Sequence, residues 1–162
     1  MPGQTLQSPN GTSSATQLHK NASPTRLAAS QAERLRSHTA LHPILVTDDD
    51  AMSRTLYRAL FQHEGLTHLD TRDSREALCL CRKHPVSLVI SDIVKPNMNG
   101  LEMLERLRVD ASTQHLPLLF ITGSSHLREV AIHSGANGFL SKPCHPNEIM
   151  HEIWRILQKE LE

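Results

Sequence analysis

Ile44-Leu45-Val46-Thr47-Asp48-Asp49-Asp50 is an apolar run that ends in three consecutive carboxylates, and its reading decides the fold. Two unit charges 4 Å apart repel by ~4 kcal/mol at an effective dielectric of 20. A fold keeps such a cluster at the end of a buried strand by protonating one acid, spreading the acids apart or binding a cation. Three later apolar runs also stop at a reactive residue: Leu88-Val89-Ile90-Ser91 at Asp92, Leu118-Leu119-Phe120-Ile121 at Thr122, and Gly138-Phe139-Leu140-Ser141 at Lys142-Pro143. Ligands of open α/β sheets bind at strand C-termini. The pattern therefore predicts that acid pair, lone acid, hydroxyl and lysine share one place.

Between these strands the texture is helical. Strand 44–47 leads to a helix over 51–64, with Met52, Leu56, Ala59, Leu60 and His63 at helical spacing, Asp50 as N-cap and Gly65 as stop. A short polar strand at 66–70 suits a sheet edge. Helix 74–83 turns Ala77, Leu78 and Cys81 inward, and strand 86–91 is apolar on both faces, as a central parallel strand must be. Helix 100–109, strand 117–121, helix 125–134, strand 138–141 and a last helix from Pro146 to about Glu160 complete five βα units. The fold class is α/β, a doubly wound (βα)5 flavodoxin-like parallel sheet with strand order 2-1-3-4-5.

Residues 1–43 contain no Phe, Trp or Tyr and are rich in Ser, Thr, Gln, Asn and Pro, so they are expected to be a disordered N-terminal arm, with a transient helix at Arg26–Arg36. The arm sets Lys20, Arg26, Arg34 and Arg36 against Glu33, about +3, which leaves about −3 for residues 44–162 of this neutral chain. Neither value suggests direct nucleic-acid binding. No apolar run reaches a membrane span and no signal-peptide core opens the chain. Cys79, Cys81 and Cys144 lack a disulfide-scaffold spacing, which fits a reduced, cytoplasmic protein. The 11 histidines show no metal-site spacing.

Taken together, Ile44–Asp50, Val89-Ile90-Ser91-Asp92 with Pro96-Asn97-Met98-Asn99-Gly100, Ile121-Thr122-Gly123 and Ser141-Lys142-Pro143 resemble a response-regulator receiver domain of the CheY-like kind, covering residues 44 to about 160. The separations of 43, 30 and 20 residues between Asp49, Asp92, Thr122 and Lys142 agree. The resemblance implies a phosphoacceptor, Asp92, that takes a phosphoryl group from a phosphohistidine on a sensor histidine kinase or histidine phosphotransfer protein. It implies Mg²⁺ as cofactor, held directly by Asp49, Asp92 and the backbone carbonyl of Val94, and by Asp48 through water. Lys142 would hold a phosphoryl oxygen, Thr122 would donate its hydroxyl to another, and Gly123 would leave room for the donor. The Lys142-Pro143 bond is cis in the family.

Thr122 and Phe139 would form the switch, moving a surface made of helix 125–134, strand 138–141 and helix 146–160 that a downstream protein target reads. A phosphorylation-dependent homodimer is among the assemblies such a surface permits. The protein would act as a signalling receiver rather than a conventional enzyme, catalysing only its own Mg²⁺-dependent phosphorylation and dephosphorylation. Because helix 146–160 ends the sequence, a stand-alone receiver is expected. Three positions depart from the family pattern. Lys95 stands where methionine is common and is expected to be solvated. Ser74 replaces a common glycine as a loop detail. Val94, which with Ser124 flanks the water path in relatives, is apolar. Asp48-x-Asp50 also fits the nucleophile motif of a haloacid-dehalogenase-like phosphatase, but then Asp92 has no role and no later acidic pair follows Lys142. A receiver-like module that binds without phosphorylation is the other alternative.

Overall fold

Five short strands rich in β-branched and large aliphatic residues form one parallel sheet among the described residues, 25–162, of this computed structural model. They are β1 (Ile44–Thr47), β2 (His68–Thr71), β3 (Leu88–Ser91), β4 (Leu118–Thr122) and β5 (Gly138–Ser141), in the order β2-β1-β3-β4-β5. Side chains of a strand alternate between faces, and the two cores follow that alternation. Leu45 and Val89 pack with α3 (Ser74–Lys83) and α4 (Gly100–Val109) on one face. Ile44, Val46, Leu88 and Ile90 pack with α2 (Ala51–Glu64) and α6 (Pro146–Leu161) on the other. The β1–β3 register sets Thr47 beside Ser91, so both central strands stop at one level. The strand order is the expected one, and the polar β2 lies at an edge.

Helix ends are fixed by their own side chains. Asp50 accepts from the Met52 and Ser53 amides, Asp73 from those of Arg75 and Glu76, and Asn99 from that of Glu102. Each satisfies donors that the first helical turn leaves unpaired. Gly65 takes the left-handed conformation (φ 72°) that ends α2. Gly100 answers a different need. A Cβ there would stand 2.5 Å from the Asp92 carbonyl oxygen and 2.7 Å from Phe120, so only glycine lets α4 begin against the tip of β3.

Three expectations change. Met52 and Leu56 of α2 are exposed, while Tyr57 and Phe61 are the residues that reach the core, so the helix turns its aromatic stripe inward. Helix 125–134 is a 3-10 turn (Ser125–Leu127) followed by α5 (Arg128–His133), and no side chain caps the start of either. The third change is in the arm: residues 29–41 form α1 (Ala29–Leu41), a folded part of the molecule. Leu35 is fully buried and Leu27 and Ala32 nearly so, in a seam against α2 and α6. Thr39 accepts from the Thr67 amide at 3.2 Å, and Arg36 Nε donates to the Glu64 carbonyl at 2.7 Å. Composition concealed this because α1 has few apolar residues, and its inward face is made of Ala32, Leu35 and Thr39 alone. The expectation of disorder over residues 1–24 lies outside the described residues.

If α1 belongs to the core, Leu35→Ala should cost about 2–5 kcal/mol of stability, the range for a fully buried leucine. Urea unfolding measures this, and a midpoint equal to that of wild type would detach the helix from the cooperative unit.

Candidate functional site

The carboxylates that end β1 and β3 converge on one ammonium. Lys142, just past β5, places its Nζ 2.9 Å from Asp48 Oδ2 and 3.0 Å from Asp92 Oδ2, with Ser53 Oγ at 3.3 Å. Those contacts use all three donors of a lysine. The Lys142-Pro143 bond is cis, as the resemblance implies. Burial alone would lower the Lys142 pKa, but its hydrogen bonds to Asp48 and Asp92 outweigh that and raise it. Asp48 is almost wholly buried and also accepts from the Asp50 amide at 2.9 Å, while its backbone carbonyl accepts from Arg54 at 2.6 Å. Asp92 is half-buried and its Oδ1 accepts from the Val94 amide at 3.2 Å. Asp49 and the Val94 side chain face solvent.

Thr122 ends β4 beside the site: its carbonyl accepts from the Lys142 amide at 2.8 Å, and its buried Oγ1 accepts from the Ser124 amide at 3.3 Å. Nothing lies within 4 Å of the position a Cβ would take on Gly123, so the rim is open there. Phe139 is turned inward and buried, with the Arg128 guanidinium 4.8 Å from its ring centroid. Lys142 thus contacts both Asp48 and Asp92, Asp49 and Val94 border them, Thr122 joins through the β4–β5 pairing, and Phe139 lies two strand positions from the Thr122 level.

Among the described residues no three carboxylate, imidazole or thiol side chains form a closed metal cage. The donor set still fits Mg²⁺, which keeps several waters and takes one or two carboxylates. Two carboxylate oxygens already converge on a single positive centre, and a third acid, Asp49, stands exposed beside them.

Two residues have roles that the sequence reading missed. Ser74 is buried and donates to the Met98 carbonyl at 2.9 Å, tying α3 to the loop that carries Asp92 into α4. Lys95 is buried rather than solvated: only 8% of it is exposed, and its Nζ donates to Thr47 Oγ1 at 3.0 Å and Ser91 Oγ at 3.1 Å. The signal was the two hydroxyl residues that end apolar central strands in register, since buried hydroxyls call for a partner. Burial pushes the Lys95 ammonium down to about 8, against the opposing pull of Asp48, Asp92, Asp49 and Asp73.

A family model for the response regulator receiver domain matches residues 44–154. The chain belongs to that family, the receiving modules of two-component systems. It is 32% identical over 120 residues to response regulator Rre1 of Synechocystis, covering 72% of this chain and 52% of that protein. An uncharacterized 14.6 kDa protein of Leptolyngbya boryana is 34% identical over 112 residues, 68% of this chain and 86% of its own length. Chemotaxis response regulator CheY4 of Vibrio cholerae superposes with a TM-score of 0.67 at 27% identity, over 72% of this chain and 99% of that one. Among the described residues, no helix is long and apolar enough to cross a membrane.

Lys95 yields a signed pH prediction. Its folded pKa of about 8 lies below the unfolded 10.5, so between those values the unfolded chain holds a proton that the fold has released. Stability contributed at this position should therefore rise from pH 8 to 10.5, by up to about 3 kcal/mol relative to Lys95→Met. Denaturant midpoints of the two proteins across that range test it; parallel curves would mean the ammonium is solvated.

Proposed function

We propose that residues 44–162 are a phosphoacceptor that takes a phosphoryl group from a phosphohistidine onto Asp92. The convergence of Asp48 and Asp92 on Lys142 carries this reading. An aspartate attacking an anionic phosphoryl group meets repulsion, so the site must supply positive charge where the new oxygens will sit. Asp92 attacks phosphorus, the phosphorus–nitrogen bond breaks, and the imidazole leaves with its electron pair and collects a proton from solvent. Asp49, Asp92 and the Val94 carbonyl would hold Mg²⁺, with Asp48 joining through water; the ion supplies charge neutralisation when bound. Lys142 trades its carboxylate contacts for a phosphoryl oxygen. Thr122 turns its hydroxyl to another oxygen, and Phe139 with the α5–β5–α6 surface answers that move, presenting a changed face to a downstream protein or a second copy.

The donor's docking face also has support. Exposed Leu56 of α2 lines a groove of about 890 Å³ that reaches Lys142, Pro143 and Ile149. Apolar surface left open beside a reactive carboxylate fits a helical protein donor better than a small molecule. The phosphatase alternative receives no support from the site: Asp50 is spent capping α2, while Asp92 is the acid that Lys142 grips.

Asp92→Ala should abolish labelling by acetyl phosphate with Mg²⁺, read by intact-mass spectrometry; labelling at the wild-type rate would reject the assignment. Leu56→Asp should cut transfer from a protein phosphodonor at least about tenfold, the effect of losing ~1.4 kcal/mol at one interface anchor. Labelling by acetyl phosphate should stay as it was, and an equal loss with both donors would remove the docking role. Val94 presents no polar group to a water beside Asp92, so Val94→Asn should shorten the phosphorylated lifetime, and a longer one would count against this.

A further inference from the structure

Lys95 is a buried charge without a direct carboxylate partner. Its Nζ donates to two neutral hydroxyls, Thr47 Oγ1 at 3.0 Å and Ser91 Oγ at 3.1 Å. An ammonium taken from water to such a place costs several kcal/mol unless nearby charge compensates. The compensating charge is the acid pocket itself. The strands that hold those hydroxyls continue directly into Asp48 and Asp92, and the carboxylates whose field reaches Lys95 are Asp48, Asp92, Asp49 and Asp73.

The remaining charged groups near the pocket are committed elsewhere. Arg54 holds the Asp48 backbone carbonyl and, with Arg58, pairs with Asp70, while Asp50 caps α2 and Asp73 caps α3. Asp48, Asp49 and Asp92 thus face two ammoniums, Lys142 from the rim and Lys95 from beneath. Lys142 sits on a partly exposed tether and can move to a new oxygen, whereas Lys95 is enclosed by the ends of β1 and β3.

Resting on the phosphoacceptor reading, we propose that Lys95 is a resident counter-cation of the acid pocket that lowers its affinity for a divalent ion. It neutralises about one of the charges that a divalent ion would otherwise meet. The pocket without phosphoryl therefore holds Mg²⁺ weakly, and the ion is retained chiefly once an anionic phosphoryl group restores the lost negative charge. A buried positive charge acts on a divalent ion through a medium that screens far less than water, so its removal has a measurable effect on affinity.

The test is Mg²⁺ binding by calorimetry to the full chain, as wild type, Lys95→Met and Lys95→Gln, each with Mg²⁺ alone and with Mg²⁺ plus beryllofluoride as phosphoryl stand-in. Glutamine can keep a hydrogen bond to Thr47 or Ser91, so it remains usable if methionine prevents folding. Both neutral variants should bind Mg²⁺ alone about tenfold more tightly than wild type, the direction set by removing one like charge. The gain in affinity that beryllofluoride brings should shrink in both. A merely structural lysine would give the opposite sign, with metal binding and stability falling together. Affinity in Lys95→Gln equal to or weaker than wild type overturns the proposal while wild-type Mg²⁺ binding leaves the phosphoacceptor reading standing. Absence of Mg²⁺ binding in all three proteins, with and without beryllofluoride, overturns that reading and this proposal with it.

Discussion

Mutual repulsion among the acids at the tips of β1 and β3 is the constraint on which the rest of the molecule depends. Asp48 is buried and Asp92 half-buried, and Lys142 reaches across from the end of β5 to touch each within 3.0 Å. Breaking such a group of buried charges by removing one member is far more costly than its net stabilising effect suggests. The strand order, the register that levels Thr47 with Ser91, and the close approach at Gly100 all bring that cluster to one point.

The same constraint explains why the site suits chemistry as well as structure. A pocket that must be neutralised by mobile or exchangeable cations is one that can accept a further anion when such a cation is supplied. Lys142 spreads its three hydrogen bonds over Asp48, Asp92 and Ser53, and the Thr122 hydroxyl accepts a long bond, 3.3 Å, from the Ser124 amide. Phe139 is packed inward under Arg128, so in the proposed switch a movement at Thr122 would have to be answered by a buried ring. Tightly packed interiors respond to such movements by switching between arrangements rather than by gradual deformation.

The N-terminal helix α1 adds a second layer of organisation. It fills the seam between α2 and α6 with Leu35 and ties down the turn after α2 through Thr39 and Arg36. The described residues before it reach the groove beside Lys142: Arg26 lines that groove and pairs with Glu64 at 3.9 Å. The helix therefore buttresses, from behind, the two helices that frame the proposed docking face.

Much of this was legible in the amino-acid order because local chemistry dictated it. Four apolar runs ending in Asp, Asp, Thr and Lys, separated by helical stretches with a cap at Asp50, define a parallel sheet with a polar rim whatever the long-range contacts are. The family motifs, read residue by residue, named the acids and the lysine that the fold brings together. What the order of residues left open were choices between two apolar faces and between water and the interior. In α2 both the Met52–Leu56 and the Tyr57–Phe61 stripes have helical spacing, and only packing against β1 and α6 selected the aromatic one. The face of α1 is too sparse in apolar residues to declare a helix alone, and it is stable because α2 and α6 cover Leu35. Lys95 looks like any surface lysine until β1 and β3 set Thr47 beside Ser91, because burial of a charge depends on neighbours far away in the chain.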